Sequence, residues 1–291
     1  MDKPEIRQQS GILFVVATPI GNLEDITLRA IRLLSEVDVI AAEDTRVTAK
    51  LLKRHGISTP LLSLREQNAS RVVGKLRTKL QSGENVALVT DAGTPSVSDP
   101  GFDLVSASVA SNIKVVPIPG PSALSAAVSV SGLKGDGIRF HGFLPRAGKL
   151  RRETLRTILE DRALAVIYES PRRIDKTLAE LAAIDKHRRA AVMRELTKVH
   201  EEIIRGTLYE LSNRFQEKTL GEITLIIEGQ SVEDKEELSE TELVNLIQNA
   251  LEDGRSAKDI ATSLSKGLGL PRKRIYDTVV TEISKRRMPG R

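Results

Sequence analysis

Three segments of this chain run from apolar residues straight into Gly, Pro, Ser and Asp. Val86-Ala87-Leu88-Val89 opens into Asp91-Ala92-Gly93-Thr94-Pro95-Ser96-Val97-Ser98-Asp99-Pro100-Gly101. Phe14-Val15-Val16-Ala17-Thr18-Pro19-Ile20-Gly21-Asn22 and Val115-Val116-Pro117-Ile118-Pro119-Gly120-Pro121-Ser122-Ala123 repeat the pattern. Each reads as a buried strand ending in a broad loop. In open α/β sheets, ligands gather at such strand carboxyl ends. The chemistry on offer is recognition by backbone N–H and C=O groups brought close by small residues, in one composite, metal-free site. Two further runs add charge. Glu43-Asp44-Thr45-Arg46 follows Val39-Ile40-Ala41-Ala42, and Arg194-Glu195-Leu196-Thr197-Lys198 follows Ala191-Val192-Met193. Charge at a strand end is either a structural ion-pair network or a polar wall of a cleft.

Other chemistries find no support. The chain has no cysteine, which excludes disulfides, thiolate nucleophiles and Cys-based zinc sites. Its four histidines, His55, His141, His187 and His200, are scattered, and His200-Glu201-Glu202 has no second His one turn later. Between Gly142 and Gly148-Lys149 the spacing is one residue too long for a phosphate-binding P-loop, and Leu150 stands where Ser or Thr is needed. No Gly-x-Gly-x-x-Gly follows a strand, which disfavours a nicotinamide-type Rossmann site. Gly120-Pro121-Ser122-Ala123 lacks the final Gly of a nucleophile elbow.

The elements that must position these loops alternate as in a βα protein. Strands are expected at 12–17, 37–42, 86–90 and 113–118, with helices over 27–35, capped by Thr27 or Asp25, and over 71–80. Connections of this length imply a mostly parallel sheet with helices on both sides. A helix of small residues is expected over 122–130, its N-terminus aimed at whatever the preceding loop holds. The Gly-rich stretch 131–137 marks a domain boundary. Beyond it come strands at 138–140, 163–168, 190–193, 202–208 and 222–228, with helices over 150–160 and 172–183. The organisation is thus an N-terminal α/β domain over 11–131, a second α/β domain over 132–230 and a helical appendage over 241–291.

Composition sets the outer bounds. A hydrophobic content of 40% over 291 residues supports a sizeable core. No apolar run approaches the roughly 18 residues of a membrane span. Lys3 and Arg7 precede an apolar stretch, but Ile12 to Ala17 is short for a signal-peptide core, so a cytoplasmic location is expected. The net charge of +5 is modest, but its distribution is uneven. Arg146, Lys149, Arg151, Arg152 and Arg156 cluster in one segment; Arg272, Lys273, Arg274, Lys285, Arg286, Arg287 and Arg291 crowd the C-terminus. Glu233, Asp234, Glu236, Glu237, Glu240 and Glu242 form an acidic stretch between them, with 231–240 reading as a solvated linker. In the appendage, Leu243, Leu246, Ile247, Ala250 and Leu251 form one stripe, and Ile275, Tyr276, Val279 and Ile283 are expected to be buried by the last helix. Three short helices with a basic outer face fit a helix-turn-helix unit or a solvated capping bundle.

Eight short motifs then occur in a characteristic order: Thr18-Pro19-Ile20-Gly21-Asn22-Leu23, Glu43-Asp44-Thr45-Arg46, Asp91-Ala92-Gly93-Thr94-Pro95, Pro119-Gly120-Pro121-Ser122-Ala123, Gly142-Phe143-Leu144-Pro145, Tyr168-Glu169-Ser170-Pro171, Arg194-Glu195-Leu196-Thr197-Lys198 and Gly221-Glu222. Each is weak alone; the ordered set is specific. It resembles the tetrapyrrole methylase superfamily and, within it, the bacterial small-subunit ribosomal RNA (cytidine-2'-O)-methyltransferases. The likeness covers roughly 11 to 230 and, more weakly, the tail.

That resemblance implies two α/β domains with S-adenosylmethionine in the cleft between them, and commonly a homodimer. Ile20, Gly21, Asp91, Ala92, Gly93, Thr94, Val97, Ser122 and Ala123 would meet the cofactor from the first domain, and Tyr168, Leu196, Gly221 and Glu222 from the second. The substrate would be small-subunit ribosomal RNA or the ribosomal subunit itself. A ribose 2'-hydroxyl is weakly acidic, so a carboxylate acceptor or a cation beside the alkoxide would help. Candidates are Asp44, Glu169 and Glu195 as proton acceptors with Lys198, Arg46 and Arg194 as cationic partners. Arg146, Lys149, Arg151 and Arg152 would anchor phosphate. Aromatic residues are only 3% of the chain, so recognition would lean on phosphate, shape and 2'-hydroxyl contacts rather than stacking. A corrinoid or porphyrin methylase on the same fold, and a non-enzymatic RNA-binding assembly factor, are the competing readings.

Overall fold

A computed structural model describes residues 10–216, 220–231, 240–268 and 271–287. Its first sheet holds β1 (Ile12–Val16), β2 (Val39–Ala42), β3 (Leu61–Ser63), β4 (Val86–Val89) and β5 (Lys114–Ile118), in the order β3-β2-β4-β1-β5. Every pairing in it is parallel. Strands β2 and β4 are buried at every position, as a parallel sheet covered on both faces demands. Side-chain alternation divides them. Ile40, Ala42, Ala87 and Val89 pack on one face with α1 (Leu28–Glu36) and α2 (Thr45–Arg54). Val39, Ala41, Val86 and Leu88 pack on the other with α3 (Ala69–Gln81) and α4 (Phe102–Ala110). Thr27 caps α1, its hydroxyl accepting the Ala30 amide at 3.1 Å.

The second sheet holds β6 (Ile138–Phe143), β7 (Leu164–Glu169), β8 (Arg189–Arg194), β9 (Glu202–Thr207) and β10 (Ile223–Ile227), in the order β6-β7-β10-β8-β9. Only β6 and β7 run parallel; β10 lies antiparallel to both of its neighbours. One face packs on α6 (Gly148–Glu160), α7 (Ile174–Ala182) and α8 (Leu208–Arg214) through Ala165, Ile167, Val192 and Leu225. The other face, bearing Leu164, Val166, Ala191, Met193 and Ile226, is covered by Leu124, Ala127 and Val128 of α5 (Ala123–Ser131). The helix of small residues that follows β5 of the first sheet therefore packs on the second. Arg205 of β9 holds its far end by donating from Nε to the Ser131 carbonyl at 3.0 Å and from a terminal nitrogen to the Val130 carbonyl.

Contacts join the two α/β halves into one compact unit ending at Gln230, with a second unit from Ser231 onward. In the second, α9 (Glu240–Glu252), α10 (Ala257–Leu268) and α11 (Arg272–Arg287) bury Leu243, Ile247, Ile260, Ala261, Ile275 and Val279. Tyr276 departs from expectation: it is 44% exposed, whereas Ile275 and Val279 beside it are fully buried. Most of the expected acidic linker, 232–239, lies outside the described residues, as do Arg291 and the side chains of Glu240, Glu242, Lys285, Arg286 and Arg287. Among the described residues no helix is long and apolar enough to cross a membrane.

Ala127 is fully buried against the second sheet, so a larger side chain there must displace its neighbours. Ala127→Leu is expected to cost about 1–3 kcal/mol of unfolding free energy in urea titrations.

Candidate functional site

The register of the second sheet builds the floor of a cavity. Thr224 on β10 faces Tyr168 on β7 and Met193 on β8, and all three lie on the face that α5 covers. Where α5 begins, the floor is left open and lines a cavity of about 380 Å³. Loops of the first sheet close it from the opposite side. Thr18 and Gly93 exchange backbone hydrogen bonds at 2.9 and 3.0 Å, pinning the loop after β4 to the loop after β1. Gly93 takes φ +82°, a left-handed conformation that Gly adopts without steric cost.

Eleven of the thirteen cofactor residues expected from the sequence line this cavity: Ile20, Ala92, Gly93, Thr94, Val97, Ser122, Ala123, Tyr168, Leu196, Gly221 and Glu222. Gly21 and Asp91 do not. A Cβ on Gly21 would lie 2.5 Å from Lys198 Cγ and 2.8 Å from the Leu196 carbonyl, so Gly21 is small to let two loops meet. Beside it the Asn22 amide donates to Thr197 Oγ1 at 3.0 Å. Asp91 accepts the Asp44 amide at 2.9 Å and lines a second cavity, of about 650 Å³. Reasoning from the sequence missed Phe143, Ser170, Pro171, Met193, Ile223 and Thr224, which lie in the second half, and Ser98 and Asp99 in the first. Alternation along β8 and β10 carries the signal for Met193 and Thr224, but only once the strand pairing is known. Phe143 stands edge-on to Tyr168 at 6.0 Å, and both rings lie in the cavity wall. Burial raises the Tyr168 hydroxyl above its usual range despite a hydrogen bond from the Leu124 amide.

The charged candidates are mostly engaged with one another. Glu195 and Thr197 hold φ of +54° and +65°, costly for non-glycine residues. A lattice of bonds sustains this turn. Lys198 Nζ donates to Glu195 Oε1 at 2.9 Å and to Glu222 Oε2 at 3.0 Å, and the Glu222 amide donates to Glu195 Oε1 at 2.8 Å. Lys198 therefore holds the Glu195 carboxyl below its ordinary range. Burial works against the charge on Lys198, but its bonds to Glu195 and Glu222 prevail and raise it. Asp44 caps α2 through the Arg46 amide at 2.9 Å, and its carboxylate also pairs with Arg46 at 2.5 Å and Arg65 at 2.9 Å. Those bonds to Arg46 push Asp44 far below the usual carboxylate range. Arg194 pairs with Glu202 at 3.2 Å.

Strand alternation turns the Glu169 side chain away from Tyr168, toward α7. Its oxygens accept from the Ser170 amide at 2.7 Å, Thr177 Oγ1 at 2.7 Å and Arg173 at 3.1 Å, and the side chain has no exposed surface. It borders the cavity at the end of β7, but these bonds commit its carboxylate to the scaffold. Arg151 also departs from expectation. It is 2% exposed, donating to Glu180 at 2.6 Å, Thr177 Oγ1 at 2.8 Å and the Pro145 carbonyl at 3.0 Å. It tethers α6 to α7 and offers nothing to a phosphate, whereas Arg146, Lys149 and Arg152 are exposed.

With this geometry in view, residues 13–212 match the family of Tetrapyrrole (Corrin/Porphyrin) Methylases, which places the chain among the methylases of this fold. The structure is similar to that of a uroporphyrin-III C-methyl transferase from Thermus thermophilus complexed with S-adenyl homocysteine, with TM-score 0.53, 19% identity and coverage of 74% of this chain and 97% of that one. A ribosomal RNA small subunit methyltransferase I from Synechocystis sp. is 43% identical, covering 91% of this chain and 96% of its own. One from Thermotoga maritima is 46% identical over 220 residues, 75% of this chain and 99% of its own. The chain belongs to the ribosomal RNA small subunit methyltransferase I family.

Two substitutions test the geometry. Gly221 has φ +95°, and a Cβ there would lie 2.5 Å from Glu195 Cγ and Cδ. Gly221→Ala is expected to weaken S-adenosylmethionine binding at least tenfold by calorimetry, because the cavity wall must shift. Arg151→Ala leaves Glu180 and Thr177 without their partner and is expected to cost about 3–5 kcal/mol in denaturant unfolding. Arg152→Ala, on the exposed side of the same helix, is expected to change stability by less than about 0.5 kcal/mol.

Proposed function

We propose that this chain transfers a methyl group from S-adenosylmethionine to the ribose 2'-oxygen of a cytidine in small-subunit ribosomal RNA. The observation that carries the reading is the meeting of two cavities at Ser98 and Asp99, one enclosed by backbone-rich loops and the other walled by charge. The first has room for a compact, folded ligand and sits within the size range of small-molecule sites. Apolar Ile20, Leu196 and Met193 with the Tyr168 and Phe143 rings suit a nucleoside. The start of α5, where Ser122 makes no side-chain cap, leaves backbone donors other than the Leu124 amide for a carboxylate or hydroxyl. Bound there, S-adenosylmethionine supplies a methyl group already activated on a sulfonium. The protein's part is then to place the acceptor in line and take its proton.

The second cavity favours a nucleotide over an acidic macrocycle. Glu43, Asp44, Asp91, Asp99 and Asp103 line it, and carboxylates at that density repel the acid groups of a porphyrin and RNA phosphates alike, so they suit an uncharged nucleoside part whose phosphates lie outside. A cytosine amino group is a donor that a carboxylate can accept. Arg46 and Arg65 stand at the same wall, and Arg146, Lys149 and Arg152 add exposed cations on and just before α6. Arg272, Lys273 and Arg274 at the start of α11 are exposed as well and support phosphate contacts by the tail. Ribosomal RNA as substrate puts the activity in the cytoplasm. The reading includes a homodimer, supported by large apolar side chains left at the surface, among them Leu28, Phe102 and Leu150.

Mapping ribose methylation in ribosomal RNA from cells with and without this protein tests the reading. One cytidine is expected to lose its 2'-O-methyl group in the deletion; an unchanged map rejects the proposal. A protein that shows no thermal shift with S-adenosylmethionine would instead fit a non-enzymatic assembly factor. Light scattering at the mass of a single chain would remove the homodimer. Replacing Arg272, Lys273 and Arg274 together by Ala is expected to weaken RNA affinity and reduce the slope of log affinity against log salt by about 2–3, since each phosphate contact contributes roughly 0.7–0.9.

A further inference from the structure

We infer that Phe102 is the platform on which the base of the target nucleoside stacks in the second cavity, with the ribose held toward the first. The inference rests on the methyl-transfer reading above and assigns a substrate contact that this reading leaves open.

Aromatic rings are scarce here: the chain has five Phe, three Tyr and no Trp. Phe14, Phe140 and Phe215 pack in the cores, and Tyr168 and Phe143 wall the first cavity. Tyr209 and Tyr276 stand on α8 and α11, away from both cavities. Phe102 supplies the aromatic ring of the second cavity. It is 70% exposed, and a lone apolar side chain at a surface is ordinary. Its place in a cavity wall distinguishes it from Leu28 and Leu150, which line neither cavity.

The backbone fixes where the ring stands. Helix α4 buries Leu104 and Ser108, and Phe102, two residues before Leu104, falls on the other side of the helix. The helix begins at this point because of Gly101, which holds φ +134°. A Cβ there would lie 2.9 Å from Leu88 and 3.1 Å from Ser96 Oγ, so the turn needs glycine. The Gly101 carbonyl accepts the Val105 amide at 3.1 Å, which locks Phe102 into the first turn. Ser98 and Asp99, which border both cavities, lie just before it in the chain. A nucleoside whose base meets the ring therefore has its sugar beside the junction with the first cavity.

The chemistry of the wall agrees. Glu43, Asp44, Asp91 and Asp103 share it with the ring and turn phosphates away, so what enters is an uncharged heterocycle. A heterocycle is held by stacking, an attraction that every base offers through its π-face. Arg65 lines the same cavity, its guanidinium fixed by the Glu43 carbonyl at 3.1 Å and by Asp44 at 2.9 Å. Guanidinium planes also stack on bases, so the cavity holds two flat groups among its carboxylates. Stacking tolerates any base, which gives Phe102 the task of positioning and leaves the choice of cytosine to the polar groups around it.

The test uses variants of the full chain with S-adenosylmethionine and small-subunit ribosomal RNA or subunits, whichever the wild type binds more tightly. Phe102→Leu and Phe102→Ala are expected to lower kcat/KM by about 5–150-fold, mostly through KM for RNA, the span that loss of one stacked base carries. Their donor affinity and thermal midpoint are expected to match the wild type's, because the side chain is exposed and lies outside the first cavity. Phe102→Tyr, which keeps the ring, is expected to retain the wild-type kcat/KM. Phe102→Trp gives the chain a single tryptophan, and RNA is expected to quench its fluorescence. Tyr209→Trp on α8 is expected to keep its signal, with the tryptophan-free wild type as background. Wild-type kcat/KM in Phe102→Ala overturns the proposal, as does an equal loss in Phe102→Tyr. Quenching no stronger at position 102 than at 209 overturns it even where Phe102→Ala fails to fold. A dimeric wild type that becomes monomeric in Phe102→Ala gives the side chain to a subunit interface and overturns it too. A wild type that binds the donor but methylates no ribose rejects the functional reading, and the tryptophan reporter then decides the stacking by itself.

Discussion

Side-chain alternation across β7, β10 and β8 is the constraint on which the rest of the α/β unit depends. Successive residues of a strand point to opposite faces, so three paired strands deliver two surfaces with different duties. Tyr168, Thr224 and Met193 fall on the face that meets α5 and form the cavity floor, while Glu169 and Ile223 fall on the face that meets the helices. A slip of one residue in either pairing would exchange the two sets, turning the Glu169 carboxylate from α7 toward the face that α5 covers and an aromatic ring against α7. The full burial of Leu225, Ile226 and Ile227 on β10 opposes such a slip, because both faces of that strand are committed.

The loops answer a different demand. Left-handed backbone at Ser96, Ser98, Glu195 and Thr197 is unfavourable locally, so each turn needs outside support. The turn at Glu195 obtains it from Lys198 and the Glu222 amide, and the one at Ser98 from close packing against Gly142. Charge in the first of these turns thus serves geometry. Charge in the second, at Asp99, is left uncompensated. The contrast separates charge that holds a turn from charge that faces the cavity beside other carboxylates.

Much of this was legible in the sequence, and the failures have physical causes. The strand-then-loop segments marked the first-sheet side of the cavity because Gly, Pro and Ser announce loops wherever they follow Val-rich runs. Strand β3 escaped notice because three residues after Pro60 carry no period. Helix α2 is masked in the sequence because Asp44 reads as strand-end charge, whereas its carboxylate caps the helix. Arg151 reads as a surface residue by its charge, although it shares a stripe with the buried Leu155, Ile158 and Leu159 at helical spacing. The fold of α5 onto the second sheet could not be read locally, since a helix of small residues does not declare its partner. Asp99 lies inside the loop that the sequence marks as a ligand site, but its place on the border of both cavities is set by the folded arrangement.

Gly21 and Thr197 belong to different sheets and meet at the mouth of the cavity, with the Asn22 amide bonded to Thr197 Oγ1. That contact ties opposite walls of one site, so a ligand held between them binds only when both halves are folded. By linkage, a ligand present at 100 times its dissociation constant adds about 2.7 kcal/mol to the stability of whatever must be folded to bind it. Here that is the whole span from β1 to β10. Binding of the methyl donor is therefore coupled to the folding of both sheets at once, and stabilises the span from β1 to β10 as a unit.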